Sequence, residues 1–311
     1  MSQTLRRKFA PKVRGHLTPF FPLHVVEPFP YMLTPYSVGF SMKGAMESRQ
    51  QATQISPLSP PATAESLGVY QCENPSVRSG DSIMHKNAQT LAFCGWITSL
   101  LRKQDPGSSA VTDLSNTFTN GHQLVHIIFE LTGSKVEGLV DTQSAYDKIT
   151  NLNLAVDAFA AKFEGSGNVN TSAIASHNPK ASLDCVWMFF YYSLLKPIQY
   201  CGLEDRFALL LWAQHSISSF PNTPVLHDFS QSFSDGLALC ALVESKFPGV
   251  FDLRSMSPIH KADNLRKAFD AIEKNLGVPK LLSAIDVTSD EADEISMIVY
   301  LTLIYHSMKT L

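Results

Sequence analysis

The sequence predicts an all-α protein, and three observations carry that reading. From about residue 84 onward, apolar side chains recur at helical spacing in several blocks separated by short Gly- and Pro-containing loops. Strand-like alternation is absent from that stretch. The blocks also occur twice in the same order, as expected for two copies of one helical unit.

Composition bounds what such a protein can be. The chain has 311 residues, 44% hydrophobic and 17% charged, with a formal net charge of −3. That apolar fraction supplies real cores and excludes wholesale disorder. At about 100–200 residues per domain, the length suggests two domains. Near-neutral charge argues against nucleic acid as a partner. No apolar run reaches the ~18–20 residues of a membrane-spanning helix. Five cysteines form no Cys-x-x-Cys pair and point to a reducing compartment. Pro19, Pro22, Pro28 and Pro30 interrupt the only early apolar patch, so no secretory leader is expected.

Residues 1–83 read as a largely disordered Pro-rich tail. Ten of the 18 prolines lie before residue 76, and proline removes backbone donors and fixes φ. The first 14 residues hold Arg6, Arg7, Lys8, Lys12 and Arg14 and no acid. A solvated basic end is the plain reading of that run, beside a contact with an acidic partner or membrane surface.

The first copy spans 84–196. Helical spacing places Phe93, Ile97, Leu100 and Leu101 on one face of its first helix, with Trp96 as a large anchor. Gly95 inside that helix costs about 1 kcal/mol of helix propensity relative to Ala. Gly121 opens an apolar block, Leu124, Val125, Ile127, Ile128, Phe129 and Leu131, that reads as a buried central helix. A glycine there permits an unusual φ or the close approach of a neighbouring helix, and Asn120 can cap the free N–H groups. The Asn-to-Asp spacing of NLNLAVDAF (151–159) reads as a polar start to a helix. Trp187 lies in the last apolar run.

The join, LKPIQYCG (195–202), is short, and the second copy spans 203–311. Its landmarks match the first. Trp212, Gly236 in FSDGLAL, Asn264 in NLRKAFDAI and Tyr300 answer Trp96, Gly121, Asn151 and Trp187 at near-constant separation. Asp235 takes the capping role of Asn120. Ile295, Ile298, Val299, Thr302 and Tyr305 form a stripe on the last helix. The acids Asp290, Glu291, Asp293 and Glu294 at its start suit the helix dipole.

No constellation for catalysis appears. Ten histidines lack His-x-x-x-His spacing, so no metal is expected, and no Gly-x-Ser-x-Gly, Walker or Rossmann signature offers a cofactor site. Cys94, Cys185 and Cys240 lie on apolar faces and act as small hydrophobes.

The duplicated pattern resembles the calponin-homology domain, in the tandem arrangement of the actin-binding modules of the α-actinin, spectrin and filamin superfamily. The second copy carries the fuller match, through LLLWAQ (209–214), SFSDGLALCALVESKFPGVFD (232–252), NLRKAFDAIEKNLGVPKLLSAIDV (264–287) and DEISMIVYLTLIYH (293–306). In the first copy Gln89 and AFCGW (92–96) stand where the family has a Gln followed by a Thr-Phe-Thr-x-Trp run. KITNLNLAVD (148–157) and NPKASLDCVW (178–187) also match.

The resemblance implies two tandem calponin-homology domains, a non-enzymatic cytoskeletal protein, and filamentous actin as partner. It implies the cytoplasm and cytoskeleton as location. In the family the actin surface draws on three segments, here about 86–103, 180–195 and 203–216. Carried over residue by residue, the candidate actin-binding residues are Lys86, Gln89, Thr90, Phe93, Trp96, Arg102, Lys103, Lys148, Lys180, Trp187, Leu209 and Trp212.

Where the family tends to be basic before the NLN run, this chain has Ser144, Ala145, Tyr146 and Asp147, with Lys148 alone matching. SSFPNTP (218–224) lacks the basic residue used by relatives for phosphoinositide contact, so lipid regulation is not expected. The alternative partners are an adaptor or other cytoskeletal protein recognised by the same fold, and microtubules. The two domains are expected to pack together and hide part of the actin surface.

Overall fold

In the computed structural model the described residues are 83–142, 144–289 and 292–311, with side chains from Ala88 onward. The tail expected over 1–83 lies outside the described residues, except that the first helix already includes Ile83. Gln143, Asp290 and Glu291 also lie outside them, the last two with the dipole role assigned to that acid pair.

The first copy runs α1 (Ile83–Gln104), α2 (Leu114–Phe118), α3 (His122–Thr132), α4 (Ala145–Ala160), α5 (Thr171–Ala175) and α6 (Pro179–Phe190). α6 continues without a break into a π-helical turn, Tyr191–Leu195. The second copy repeats the order. It runs α7 (Asp205–Ile217), a 3₁₀ turn at Gln231–Phe233, α8 (Leu237–Lys246), α9 (Lys261–Leu276), α10 (Ala284–Thr288) and α11 (Glu294–Thr310). All described residues fall in one compact unit.

Local chemistry sets the helix starts. The Asp113 carboxylate accepts from the backbone N–H groups of Ser115 and Asn116 to cap α2. The Ser115 hydroxyl, which also donates to it, is the main reason its carboxyl is held below the usual range. Ser144 and Asp147 form a reciprocal capping box at α4, and Ser283 and Asp286 repeat it at α10. Asn178 caps α6, with Pro179 at the first turn where its missing N–H is harmless.

α3 and α8 start on left-handed glycines, Gly121 at φ 78° and Gly236 at φ 76°. Both properties anticipated for these glycines are present. A Cβ on Gly121 would stand 2.8 Å from Asn151 Cβ and 2.9 Å from Leu152 N, and one on Gly236 2.7 Å from Leu265 N. Asn120 and Asp235 accept from the N–H groups of His122 and Leu237, as their capping role requires.

Asn151 and Asn264 do not start their helices. α4 begins at Ala145 and α9 at Lys261, and both asparagines are buried. Each amide points inward and ties its helix to the glycine turn. Asn151 Nδ2 donates to Val140 O at 2.9 Å and Asn120 O at 3.3 Å, and its Oδ1 accepts from Val140 N at 2.9 Å. Asn264 Nδ2 donates to Asp235 O and Ser257 O, both at 2.9 Å. The glycine lets the helix come close, and the amide satisfies the carbonyls left there. Asn264→Ala strands two carbonyls, so a loss of about 2–3 kcal/mol in unfolding free energy is expected. Denaturant titration checks this, and a loss below about 1 kcal/mol contradicts the role.

Three further details depart from the sequence reading. Phe129 on α3 is exposed, while Leu124, Ile127 and Ile128 are buried, so that helix shows one outer edge. Its counterpart α8 is buried throughout Leu237–Val243. α11 is buried on nearly every side from Ser296 to Thr302, not along a stripe, because α7 and α9 cover its inner side and α1 of the first copy covers the rest. The join holds a short antiparallel ribbon, β1 (Gln199–Tyr200) with β2 (Leu203–Glu204). Cys201 at φ 50° and Gly202 at φ 81° make its turn, a pattern that suits the right-handed strand twist. The ribbon delays the start of α7 to Asp205.

Candidate functional site

The three segments expected to form a binding face are α1, α6 with its π turn, and α7. An aromatic cluster joins the first two. Phe93 meets Trp187 at 6.1 Å and Phe190 at 5.9 Å between ring centroids, and Trp96 meets Phe190 edge-on at 5.0 Å. Trp187 also lies 6.1 Å from Tyr191. Such pairs fix the relative placement of two helices beyond what burial alone does. α7 belongs to a separate cluster, in which Trp212 packs edge-on against Tyr305 at 5.0 Å.

The candidate residues fall into distinct groups. Phe93, Trp96 and Leu209 are 0–1% exposed, and Gln89 and Trp212 are also buried. In this arrangement these five cannot touch a partner; they hold the helices that carry the surface. Their family match identifies core positions, because an aromatic at a helical core position leaves the same pattern as a contact residue. Thr90, Lys148 and Trp187 are half-buried. Arg102, Lys103 and Lys180 are exposed. The side chain of Lys86 lies outside the described ones.

The exposed cations have readable surroundings. Arg102 and Lys103 occupy the last turn of α1, where the helix dipole favours positive charge, and Arg102 Nε donates to Ser108 O at 3.2 Å. Lys180, in the first turn of α6, pairs with Asp184 at 2.7 Å. It also lines a shallow groove of about 210 Å³ with Asn168, Asn170, Asn178 and Asp184. That volume is below the ~300 Å³ at which small-molecule pockets begin.

α1 is covered on two sides. Ala92, Phe93, Cys94, Trp96 and Ile97 are all nearly inaccessible. One side faces the core of the first copy and the other faces the second copy. Gly95 is the seat of that second contact: a Cβ placed there would stand 2.6 Å from Leu281 Cδ2. In the sequence alone Gly95 shows only a helix-propensity cost. The signal that could have found its role was an unexplained glycine inside an otherwise apolar helix. His306 on α11 adds a polar contact, its Nε2–H donating to Leu194 O in the π turn at 2.8 Å.

The buried thiols offer no nucleophile. Burial pushes Cys94 up to about 11 and Cys240 up to about 12, and raises Cys185 as well. Among the described residues no group of three His, Cys, Asp or Glu side chains could hold a metal ion. Nor is any helix among them long and apolar enough to cross a membrane.

Known proteins share this architecture in sequence. The family described as "Calponin homology (CH) domain" matches twice, at residues 87–194 and 203–310. Sarcomeric alpha-actinin of Drosophila melanogaster is 28% identical over 222 residues, 71% of this chain and 24% of that protein. Human alpha-actinin-3 is 29% identical over 220 residues, 70% of this chain and 24% of that protein. Alpha-actinin-like protein 1 of Schizosaccharomyces pombe is 27% identical over 229 residues, 73% of this chain and 36% of that protein. The chain therefore matches about a quarter to a third of the length of these relatives.

Proposed function

Because this chain belongs to the calponin homology family and carries two of its domains in tandem, we propose that it is a non-enzymatic cytoskeletal protein whose tandem module binds filamentous actin. The observation that carries this reading is the ordered pair of domains itself, matched along most of the module by alpha-actinins. The face in question combines the last turn of α1 with α6. Arg102 and Lys103 on α1 and Lys180 on α6 are the exposed cations of these helices, which the Phe93–Trp96–Trp187–Phe190 cluster joins.

Charge gives the reading a measurable edge. The acidic filament surface is met here by few cations, since residues 84–311 hold 17 Lys and Arg against 23 Asp and Glu. Association then depends strongly on those at the face. The Arg102→Glu/Lys103→Glu double variant is expected to weaken binding by about tenfold, mostly at low ionic strength. Co-sedimentation with actin filaments at two salt concentrations measures it. Unchanged pelleting would remove the end of α1 from the face.

The acidic balance of the module also favours one second reading. A partner other than actin, an adaptor or other cytoskeletal protein, would be recognised by the same pair of domains, and Ser144–Asp147 in place of a basic stretch supports it. Microtubules fit less well, because tubulin is strongly acidic.

A further inference from the structure

The junction between the domains holds a carboxyl group that the proposed binding role does not use. Asp205 is the first residue of α7 and has a left-handed backbone, φ 48°. Aspartate tolerates that region better than most residues, but a non-glycine held there marks a place where the surroundings over-determine the chain. Its N–H donates to Ile198 O across the ribbon at 2.9 Å. The Tyr191 hydroxyl, from the π turn of the first domain, donates to its Oδ2 at 3.5 Å. Oδ1 is buried without a hydrogen bond of good geometry. The first domain thus reaches a half-buried carboxylate of the second through Tyr191, and one of the carboxylate oxygens is left poorly served.

We propose that Asp205 is a proton-sensitive latch at the domain junction, which holds the two domains together more tightly when its carboxyl is protonated. A solvent proton neutralises the group when it binds, and the neutral acid loses little by being covered. The ionised group is served better by water, which reaches it when the domains part. Burial raises the affinity of Asp205 for a proton above that of an ordinary aspartate. The backbone N–H groups of Phe207 and Arg206, the Arg206 charge and the Tyr191 hydroxyl act in the opposite sense. The charged and titratable groups around the carboxyl are thus Arg206 on its own helix and Tyr191 on the first domain. His306 of α11 is the titratable group at the neighbouring Leu194 contact.

The sign follows from burial. Protons bind the closed junction more strongly than the parted one. Closure is therefore favoured as pH falls through the raised value toward that of a free aspartate, and is opposed above it. This inference concerns the junction and does not depend on which filament or protein the module binds.

The test is single-molecule or ensemble energy transfer between fluorophores placed on the two domains of the full chain, between pH 7.5 and pH 4.5. The wild type is expected to gain closed population as pH falls. Asp205→Asn, a neutral isostere, is expected to remove that dependence and to raise the closed-to-open ratio at pH 7.5 on the order of fivefold. Tyr191→Phe removes a donor to the ionised form and is expected to move the transition to higher pH. His306→Gln is expected to keep the pH dependence. The proposal is overturned if Asp205→Asn titrates like the wild type while circular dichroism reports an intact fold. It is equally overturned if His306→Gln abolishes the pH dependence.

Discussion

Gly95→Leu is expected to part the two domains and to tighten filament binding by roughly three- to tenfold. The size of the side chain decides this result. Alanine at Gly95 would put a Cβ 2.6 Å from Leu281 Cδ2, the far end of a flexible side chain, which can swing aside. Leucine brings three more carbons into a seat with no room for them, between α1 and Leu281, which is itself buried. The cheapest relief is separation of the domains. The first domain itself loses nothing, because replacing a mid-helix glycine favours α1 by about 1 kcal/mol.

The closed arrangement is expected to hide part of the actin surface, since the second domain packs against α1 at Gly95. A larger open population then raises apparent affinity in proportion, up to the full population shift. Leu281→Ala attacks the same contact from the other side by removing packing atoms, and the same direction is expected. Small-angle scattering reads the separation and filament pelleting reads the affinity. A Gly95→Leu chain with unchanged scattering would contradict the seam, and a parted chain without tighter pelleting would contradict occlusion.

The second large effect concerns stability. Gly121→Ala and Gly236→Ala are each expected to cost about 3 kcal/mol or more, enough to unfold a marginal domain. A left-handed backbone with a Cβ costs about 1–2 kcal/mol by itself. The new carbon would also collide with backbone atoms, which cannot rotate away: Asn151 C and Leu152 N at 2.9 Å in one domain, Leu265 N at 2.7 Å in the other. Gly133→Ala is the control. Gly133 has φ 71° but open space around its Cβ position, so only the conformational cost of about 1–2 kcal/mol is expected. Denaturant titration of the three variants separates the two causes. Equal losses at all three sites would mean that close helix approach contributes nothing.

These glycines show how far the sequence could be read. Gly121 and Gly236 were legible because each stands at a switch from polar to apolar residues, and because the pattern occurs twice. Trp96 and Trp212 were legible as anchors for the same reason. The spacing at Asn151 and Asn264 predicts helix starts that the fold does not have. Their partners, the carbonyls of Asn120, Val140, Asp235 and Ser257, lie in loops whose approach only the folded backbone defines. Phe129 looks buried in the sequence because an apolar run does not report which of its faces lacks a neighbour. Gly95 stands out in the sequence as a glycine inside an apolar helix, but its partner does not, since Leu281 belongs to the other domain.

The candidate face was legible in outline and not in detail. Family matching pointed to α1 and α6, and the aromatic cluster joins those helices. It also selected Phe93, Trp96 and Leu209, which are buried in the domain cores. A contact residue and a core residue share one sequence signature when both lie on an apolar helix, and burial separates them. Arg102, Lys103 and Lys180 are left as the accessible charges.

The central claim is tested most directly by pelleting the full chain with actin filaments and, in parallel, with microtubules at the same low salt. Saturable recovery with the actin pellet, falling as salt rises and exceeding recovery with microtubules, is the predicted result. A folded chain that stays in the supernatant at every actin concentration, or that pellets with microtubules alone, would contradict the account.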